Sequence, residues 1–300
     1  MQQSTSTIFM IRPLHFGFNK QTAASNSFQK NVSKIKLLKK VQQQFDDVVK
    51  LLRDNDIEVF VFDDRADVIT PDSIFPNNWI SINNNTITLY PLLAENRRAE
   101  RRNDIVDFFW YKMQGNKQLF EFTNFEDENK FVEGTGSMVL DHVNRWAYAS
   151  ISPRTHLSTF ETWCREMNYV PVTFTAYNDG KPIYHTNVMM AIGTGYAVVA
   201  AETIKSRTER THVKESLINT GHELILITNE QVNAFAGNML EVSNKSGKKF
   251  LLMSETAYKS LSLSQIEKLK KHSEPLVCFI PAIEETGGGS IRCMIAEVFM

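Results

Sequence analysis

Hydrophobic residues near the N-terminus follow two different periods. The apolar run Ile8–Ile11 predicts a short strand. From Phe28 to Leu52, apolar residues recur with helical spacing, which predicts an amphipathic helix that packs one face on a core. Asn55-Asp56 ends this helix, and Ile57–Phe62 predicts a buried strand. The apolar positions of the helix are Val32, Ile35, Leu38, Val41, Phe45, Val48, Val49 and Leu52.

The rest of the chain repeats one pattern, a pair of short apolar runs separated by a turn. Each turn contains Asn or Gly, the residues that tight hairpins favour. The pairs recur at intervals of roughly 50 to 60 residues, and such periods are typical of propellers and repeat arrays. The predicted pairs are Trp79–Ile82 with Ile87–Tyr90, Met138–Leu140 with Trp146–Ala149, Val188–Ile192 with Ala197–Ala200, and Met239–Val242 with Phe250–Met253.

Helical segments and a further strand fall between the pairs. A fifth pair forms only if the C-terminal strand, Ile291–Phe299, meets the N-terminal strand, which would close a ring and remove exposed strand edges. No linker divides the chain, so we expect a single α/β domain over residues 1–300. The predicted helices are Arg98–Met113, Thr155–Met167, Ser206–Asn219 and Ser264–Lys271, and the further strands include Val170–Phe174, Leu224–Ile227 and Leu276–Ile280.

The composition argues against several classes of partner. The chain has 300 residues, 42% of them hydrophobic, and a formal net charge of −1, so nothing favours nucleic acid or an anionic membrane. The longest apolar runs, such as Ala197–Ala201, are far shorter than the roughly 20 residues of a membrane span. No export signal is visible at the N-terminus, and we therefore expect a cytoplasmic protein.

The cysteines predict neither a disulfide framework nor a metal site. Cys164, Cys278 and Cys293 are odd in number and widely spaced, which is typical of a protein in a reducing compartment. Cys278 lies in an apolar strand and Cys164 in a probable helix, so both are interpreted as core thiols. The charged run Arg97–Arg102 is interpreted as the solvated start of a helix, with an anion contact as the alternative.

Cys293 is different, because it follows Gly287-Gly288-Gly289. Glycine allows unusual backbone angles and close approach of a ligand, so this run can present the thiol to a pocket. The alternative is a glycine turn followed by a core cysteine.

A nucleophilic cysteine needs a proton carrier, and His185 and Glu133 are candidates for the groups around it. His185 lies at the mouth of an apolar strand, and Glu133 precedes the permissive segment Gly134–Ser137. Each residue alone has a simpler structural interpretation. Together with Cys293, however, they occupy matching places in different repeat units, which favours a shared site.

Four ordered motifs resemble those of the guanidino-group modifying enzymes, the superfamily of arginine deiminases, dimethylarginine dimethylaminohydrolases and amidinotransferases. The motifs are Phe131–Gly134, Ser152–Thr155, His185–Asn187 and Gly287–Cys293. The resemblance runs from Met10–Pro13 to the C-terminus. The string Phe75–Trp79, together with the N-terminal segment, is most similar to the branch called citrulline utilisation hydrolases.

The resemblance implies a five-bladed β/α propeller, or pentein, with its pocket at the centre and no cofactor or metal. It implies that Cys293 attacks the substrate carbon and forms a covalent thio-intermediate. His185 would protonate the departing nitrogen and then activate water, while Glu133 would hold substrate nitrogens and orient the histidine. Arg154 would pair with the α-carboxylate of an amino-acid substrate in a two-pronged contact.

Two departures from the superfamily pattern bear on the substrate. Asn78 and Asn187 stand where arginine-using relatives commonly have Asp, and a carboxamide suits a neutral ureido group better than a buried cation. We therefore expect hydrolysis of citrulline to ornithine, ammonia and carbon dioxide. The alternatives are a guanidinium substrate, as in an arginine deiminase, dimethylarginine-type hydrolase or amidinotransferase, and a ring that serves only as a binding module. The sequence leaves open whether the chain forms a homo-oligomer.

Overall fold

The computed structural model describes residues 2–32 and 36–300. The strands are β1 (Thr7–Arg12), β2 (Glu58–Asp63), β3 (Ile80–Asn83), β4 (Thr86–Leu89), β5 (Gln118–Glu121), β6 (Val139–Asp141), β7 (Trp146–Ser150), β8 (Val170–Phe174), β9 (Tyr177–Asn178), β10 (Lys181–Pro182), β11 (Met190–Gly193), β12 (Tyr196–Val199), β13 (Glu223–Leu226), β14 (Leu240–Ser243), β15 (Lys249–Ser254), β16 (Glu274–Cys278) and β17 (Ala296–Phe299).

The α-helices are α1 (Lys20–Ala23), α2 (Leu37–Asp54), α3 (Asn103–Lys112), α4 (Gly134–Ser137), α5 (Leu157–Met167), α6 (Arg207–Asn219), α7 (Asn229–Asn233), α8 (Glu255–Ser260), α9 (Leu263–Lys270) and α10 (Pro281–Gly287). Short 3₁₀ helices span Pro76–Asn78, Glu95–Glu100, Thr123–Glu126, Thr186–Val188 and Ala201–Thr203.

Most of the strands belong to three-stranded units that share one topology. Each unit begins with an antiparallel pair and adds a third strand parallel to the second, and one or two helices connect the second strand to the third. The four predicted hairpins are confirmed, with bounds that shift by one or two residues. The units in the described residues are β17-β1-β2, β3-β4-β5, β6-β7-β8, β11-β12-β13 and β14-β15-β16.

One unit is built from both ends of the chain. Strand β17 pairs antiparallel with β1, so that Ile8 lies opposite Glu297, and it also pairs parallel with β3. The predicted meeting of the two terminal strands is therefore confirmed. The predicted strand Ile291–Phe299 is too long, because the observed strand begins only at Ala296. Before it, the main-chain N–H groups of Cys293, Met294 and Ile295 donate to carbonyl oxygens three residues earlier, so they form turns and are not available to pair with another strand.

The predicted helix Phe28–Leu52 is wrong in its first part. Phe28 donates its main-chain N–H to the side-chain oxygen of Asn26, a local turn, and its ring packs on Phe235 with centroids 5.5 Å apart. The regular helix, α2, begins at Leu37, and the predicted position Ile35 lies outside the described residues.

Turn chemistry fixes the hairpins. Asn84 and Asn85, between β3 and β4, both have positive φ, at 46° and 60°, as a type I′ turn requires. Gly195 takes the same role between β11 and β12, with φ at 79°. These residues set the register that aligns the starts of the strands.

The helices cover the sheets with amphipathic faces. The inner face of α2 buries Val41, Phe45 and Leu52 completely. Cys164 and Cys278 are 1% exposed, as expected of core thiols. Across residues 2–32 and 36–300, no helix combines the length and the apolar character that crossing a membrane demands.

Gly193→Ala tests the tight packing of the β11–β12 hairpin. A Cβ at Gly193 would lie 2.3 Å from the ring of Tyr196, which is fully buried and stacks on His272 with centroids 5.0 Å apart. We expect the free energy of unfolding, measured by urea titration, to fall by about 1–3 kcal/mol. Gly17→Ala, at a position with nothing within 4 Å, is the control and should be nearly neutral. Equal stability of the two variants would contradict this account of the hairpin.

Candidate active site

Five of the six predicted site residues lie just before first strands of the units, and Arg154 lies between β7 and α5. Asn78 ends the 3₁₀ helix before β3, Glu133 precedes α4 and β6, and His185 and Asn187 precede β11. Cys293 lies in the turn before β17. The first strands of neighbouring units lie side by side, so their starts converge. The repeat thereby brings together residues that are far apart in the sequence.

A small cavity lies at this convergence. His185 and Cys293 both line it, so a substrate group between them would contact both. The lining residues are Thr22, Asn26, Gln29, Asp72, Phe75, Asn78, Arg97, Arg154, Tyr184, His185, Gly287, Gly289 and Cys293.

Glu133 anchors one wall of the cavity although its side chain is completely buried. Its Oε2 accepts hydrogen bonds from Nε2 of His185 at 2.8 Å and from Nη1 of Arg154 at 3.4 Å. Its Oε1 accepts the main-chain N–H of Leu93 at 3.0 Å. A buried carboxylate is tolerated only with such partners, and here they also fix the imidazole in one orientation.

The charges around Glu133 and His185 set their protonation states. Burial raises the pKa of Glu133, but the charge of Arg154 and the hydrogen bond from His185 outweigh it and bring the pKa to about 2. Burial lowers the pKa of His185, and with the charges of Arg154 and Arg97 it prevails over Glu133, giving a pKa of about 4. At neutral pH the pair is therefore a carboxylate and a neutral imidazole, which can accept a proton.

Cys293 is held by two carboxamides. Nδ2 of Asn238 donates to Sγ at 3.2 Å, and Nδ2 of Asn187 donates to it at 3.6 Å. Burial raises the pKa of the Cys293 thiol, and the hydrogen bond from Asn238 opposes that rise. The amide nitrogen of Asn187 lies against the sulfur, and the expected contact of Asn187 with substrate stays a prediction.

Asn78 is fixed by an arginine that the sequence did not single out. Nη1 of Arg97 donates to Oδ1 of Asn78 at 2.6 Å, and Nε and Nη2 of Arg97 bind the carboxylate of Glu100 at 2.9 and 2.7 Å. Arg97 is only 2% exposed, so the prediction of a solvated charged run is wrong at this residue. The 3₁₀ helix Glu95–Glu100 turns Arg97 inward, and a linear charge pattern does not reveal that turn.

Arg154 lines the cavity, and each of its three side-chain nitrogens already donates one hydrogen bond. Its Nε donates to Ser25 at 2.8 Å, Nη2 donates to the main-chain oxygen of Thr22 at 2.8 Å, and Nη1 donates to Glu133. A guanidinium has five N–H donors, so one N–H on each of Nη1 and Nη2 has no partner in this set. The role of Arg154 in binding a carboxylate stays a prediction.

Besides Arg97, sequence reasoning also missed Asp72 and Asn238. Asp72 is 2% exposed and lines the cavity, and its Oδ1 has no hydrogen-bond partner among the described residues. Asn238 immediately precedes Met239–Val242, a predicted first strand whose start had no assigned site residue. The repeat could therefore have pointed to Asn238, whereas nothing local in the sequence marks Asp72.

The described residues, 2–32 and 36–300, contain no cluster of three or more His, Cys, Asp or Glu side chains arranged to hold a metal ion. The chemistry available to the cavity is that of a thiol, an imidazole, carboxylates, guanidinium groups and carboxamides.

Solved structures with the same fold are enzymes of arginine metabolism. The N-terminal domain of ArgZ covalently bound to a reaction intermediate matches with a TM-score of 0.77 at 15% identity, covering 98% of this chain and 97% of that domain. Complete ArgZ, an arginine dihydrolase from the ornithine-ammonia cycle in cyanobacteria, matches with a TM-score of 0.76 at 15% identity. The match covers 97% of this chain but 40% of ArgZ, so the chain spans less than half of that protein.

A dimethylarginine dimethylaminohydrolase, solved as an adduct with S-methyl-L-thiocitrulline, matches with a TM-score of 0.65 at 13% identity, covering 97% of this chain and 98% of that one. At such identities the likeness is one of fold, and the fold is the pentein fold of these proteins. No curated protein matches the sequence.

The sequence itself carries a family signature over nearly its full length. The family described as N,N dimethylarginine dimethylhydrolase, eukaryotic, matches residues 12–300. That range contains Glu133, His185 and Cys293, as well as Asp72 and Asn238. The chain belongs to the N,N-dimethylarginine dimethylhydrolase family.

Proposed function

We propose that the chain is a cysteine-dependent hydrolase that cleaves a C–N bond of the guanidino group of arginine or a methylated arginine. The observation that carries this proposal is the cavity itself, which the Cys293 thiol and the neutral His185 imidazole line together. The ionised Glu133 fixes the imidazole. A binding-only ring has no need for this combination.

The proposed reaction has two halves. His185 takes the thiol proton, Sγ of Cys293 forms a bond to the guanidino carbon, and the bond from that carbon to a terminal nitrogen breaks as His185 protonates the leaving amine. In the second half His185 removes a proton from water, the hydroxide attacks the same carbon, and the C–S bond breaks. One water is consumed, the free thiol is regenerated, and the amine and a ureido product leave.

Asp72 supports a cationic substrate. Asp72 lines the cavity, its Oδ1 is buried without a hydrogen-bond partner among the described residues, and a guanidinium N–H would satisfy that oxygen. The cavity thus retains a carboxylate even though Asn78 and Asn187 replace the two expected aspartates. This residue weakens the sequence argument for a neutral substrate.

Citrulline is the second candidate, and the carboxamides favour it. Asn187 has a buried Oδ1 with no partner among the described residues, which would accept an N–H of a ureido group. Hydrolysis of citrulline by the same two halves would release the terminal nitrogen as ammonia and leave the carbamate of ornithine, which loses carbon dioxide to give ornithine.

We also propose that the units close into a five-bladed β/α propeller around this cavity. The supporting observations are the shared topology, the pairing of β17 with β1 and β3, and the position of β11 beside β6 and β14. A central cavity lined by several first strands is what such closure would produce.

The first test measures ammonia or amine release from arginine, dimethylarginine and citrulline. We expect release from a guanidino substrate, abolished in Cys293→Ala because the nucleophile is lost. Cys164→Ala, which removes a buried thiol 1% exposed in α5, is the matched control and should retain activity. Release from citrulline alone would replace the guanidino proposal by the ureido one, and full activity of Cys293→Ala would rule out both.

Asp72→Asn tests the role of this carboxylate. With a guanidinium substrate, loss of a charged hydrogen bond should lower kcat/KM by about tenfold to a hundredfold. With citrulline the effect should be small. Asp67→Asn, at an exposed carboxylate, controls for the charge change. An unchanged kcat/KM for arginine-type substrates would remove Asp72 from the binding site.

The pH dependence tests the state of His185. Because the pKa of His185 is about 4, kcat/KM should fall to half its plateau near pH 4, not near 6.5, the usual pKa of a histidine. The unfolded chain binds this proton more readily between pH 4 and 6.5, so stability also declines as the pH falls through that window. Unfolding must therefore be followed by tryptophan fluorescence at each pH. A midpoint near 6.5 in folded protein would contradict the lowered pKa.

A further inference from the structure

The loop between α7 and β14 places Asn238 beside Sγ of Cys293. It does so because this loop packs very closely on the segment that precedes β11. Phe235 has a positive φ of 62°, and a Cβ on Gly237 would lie 2.3 Å from the carbonyl oxygen of Val188. Only glycine allows this approach. Asn238, next in the chain, is consequently 1% exposed and lies against the segment that precedes β11.

The orientation of the Asn238 carboxamide is fixed by the backbone. Its Nδ2 donates to the main-chain oxygen of Asn187 at 2.9 Å, and a carbonyl oxygen can only accept. The second N–H of the same nitrogen is therefore free to donate to Sγ of Cys293, at 3.2 Å. The Oδ1 of Asn238 lies 3.6 Å from Sγ, where it can accept the thiol proton's hydrogen bond. The same amide can therefore accept a hydrogen bond from the thiol through Oδ1 and donate one to the thiolate through Nδ2.

We propose that Asn238 is a catalytic residue that holds Sγ of Cys293 in its attacking position and stabilises the thiolate by donating a hydrogen bond through Nδ2. The amide does not take the proton, which passes to the neutral imidazole of His185. This inference rests on the proposed nucleophilic role of Cys293 and adds the group that makes that role feasible in a buried site.

The charges near the sulfur do not replace this donor. Both side chains that donate a hydrogen bond to Sγ in the described residues are carboxamides, those of Asn187 and Asn238. Arg292 precedes Cys293 in the chain, but its guanidinium binds Glu297 at 2.8 Å and the main-chain oxygen of Ile295. The titratable or charged groups that share the cavity with Sγ are Asp72, Arg97, Arg154, Tyr184 and His185.

The test measures alkylation of Cys293 by iodoacetamide as a function of pH, read by mass spectrometry of the Cys293 peptide. Asn238→Leu removes the donor, and Asn238→Asp replaces it with an anion of the same shape. We expect the alkylation midpoint to rise by about one pH unit in Asn238→Leu, as loss of one hydrogen bond implies, and by more in Asn238→Asp. With substrate, kcat should fall about tenfold while KM changes less than about twofold.

Internal and external controls separate this effect from a loss of structure. Cys164 and Cys278, whose burial raises their pKa to about 12, report any general opening of the fold by becoming reactive. Asn103→Asp, at the exposed start of α3, makes the same charge change outside the cavity and should leave the midpoint unchanged. If either Asn238 variant fails to fold, Asn238→Ala takes its place.

An unchanged midpoint in any folded Asn238 variant would overturn the proposal. The alkylation assay needs no substrate, so it also distinguishes this inference from the proposed function. A shifted midpoint in a protein that turns over none of the three substrates would support the role of Asn238 while contradicting the proposed reaction.

Discussion

The site is organised around a carboxylate that water cannot reach. Glu133 is completely buried, and its charge is compensated by Arg154, by His185 and by a main-chain N–H. Removing such partners from a buried charge is strongly destabilising, so the positions of these groups are tightly coupled. The contact with Glu133 aims the imidazole, while burial and the charges of Arg154 and Arg97 keep it neutral against the pull of that carboxylate. The folding constraint and the chemistry therefore share one set of atoms.

A second buried cluster contributes Arg97 and Asn78 to the cavity. Arg97 forms a hydrogen-bonded group with Glu100 and Asn78, and burial raises the pKa of Glu100 to about 7 even though Arg97 opposes the rise. Because Arg97 donates to Oδ1 of Asn78, that oxygen is already engaged, and Asn78 acts as a hydrogen-bond donor through its amide nitrogen. The walls of the cavity are therefore rigid arrays of polar groups, and their specificity depends on which donors and acceptors they leave unpaired.

The repeat explains why distant residues meet. The segments before the first strands of the units supply Asn78, Glu133, His185, Asn238 and Cys293. Asn78, His185 and Cys293 line the cavity, and Glu133 and Asn238 hold His185 and Cys293. An apolar strand buries its side chains, whereas the short 3₁₀ helix or turn before it can expose a polar one without losing ladder hydrogen bonds. The architecture thus allows five different functional groups to vary independently on a common frame.

The sequence by itself determined the repeating hairpins, the pairing of the two chain ends and the group of Glu133, His185 and Cys293, because apolar periodicity, turn residues and motif order are local signals. It did not determine where α2 begins, since the side chain of Asn26 caps the Phe28 main chain in a turn. Only the tertiary structure decided that Arg97 is buried, that Asp72 faces the cavity and that Asn187 and Asn238 hold the sulfur. These facts depend on contacts between residues far apart in the chain. Burial and hydrogen bonding at such contacts produce no periodic pattern of apolar and polar residues, so the sequence alone does not reveal them.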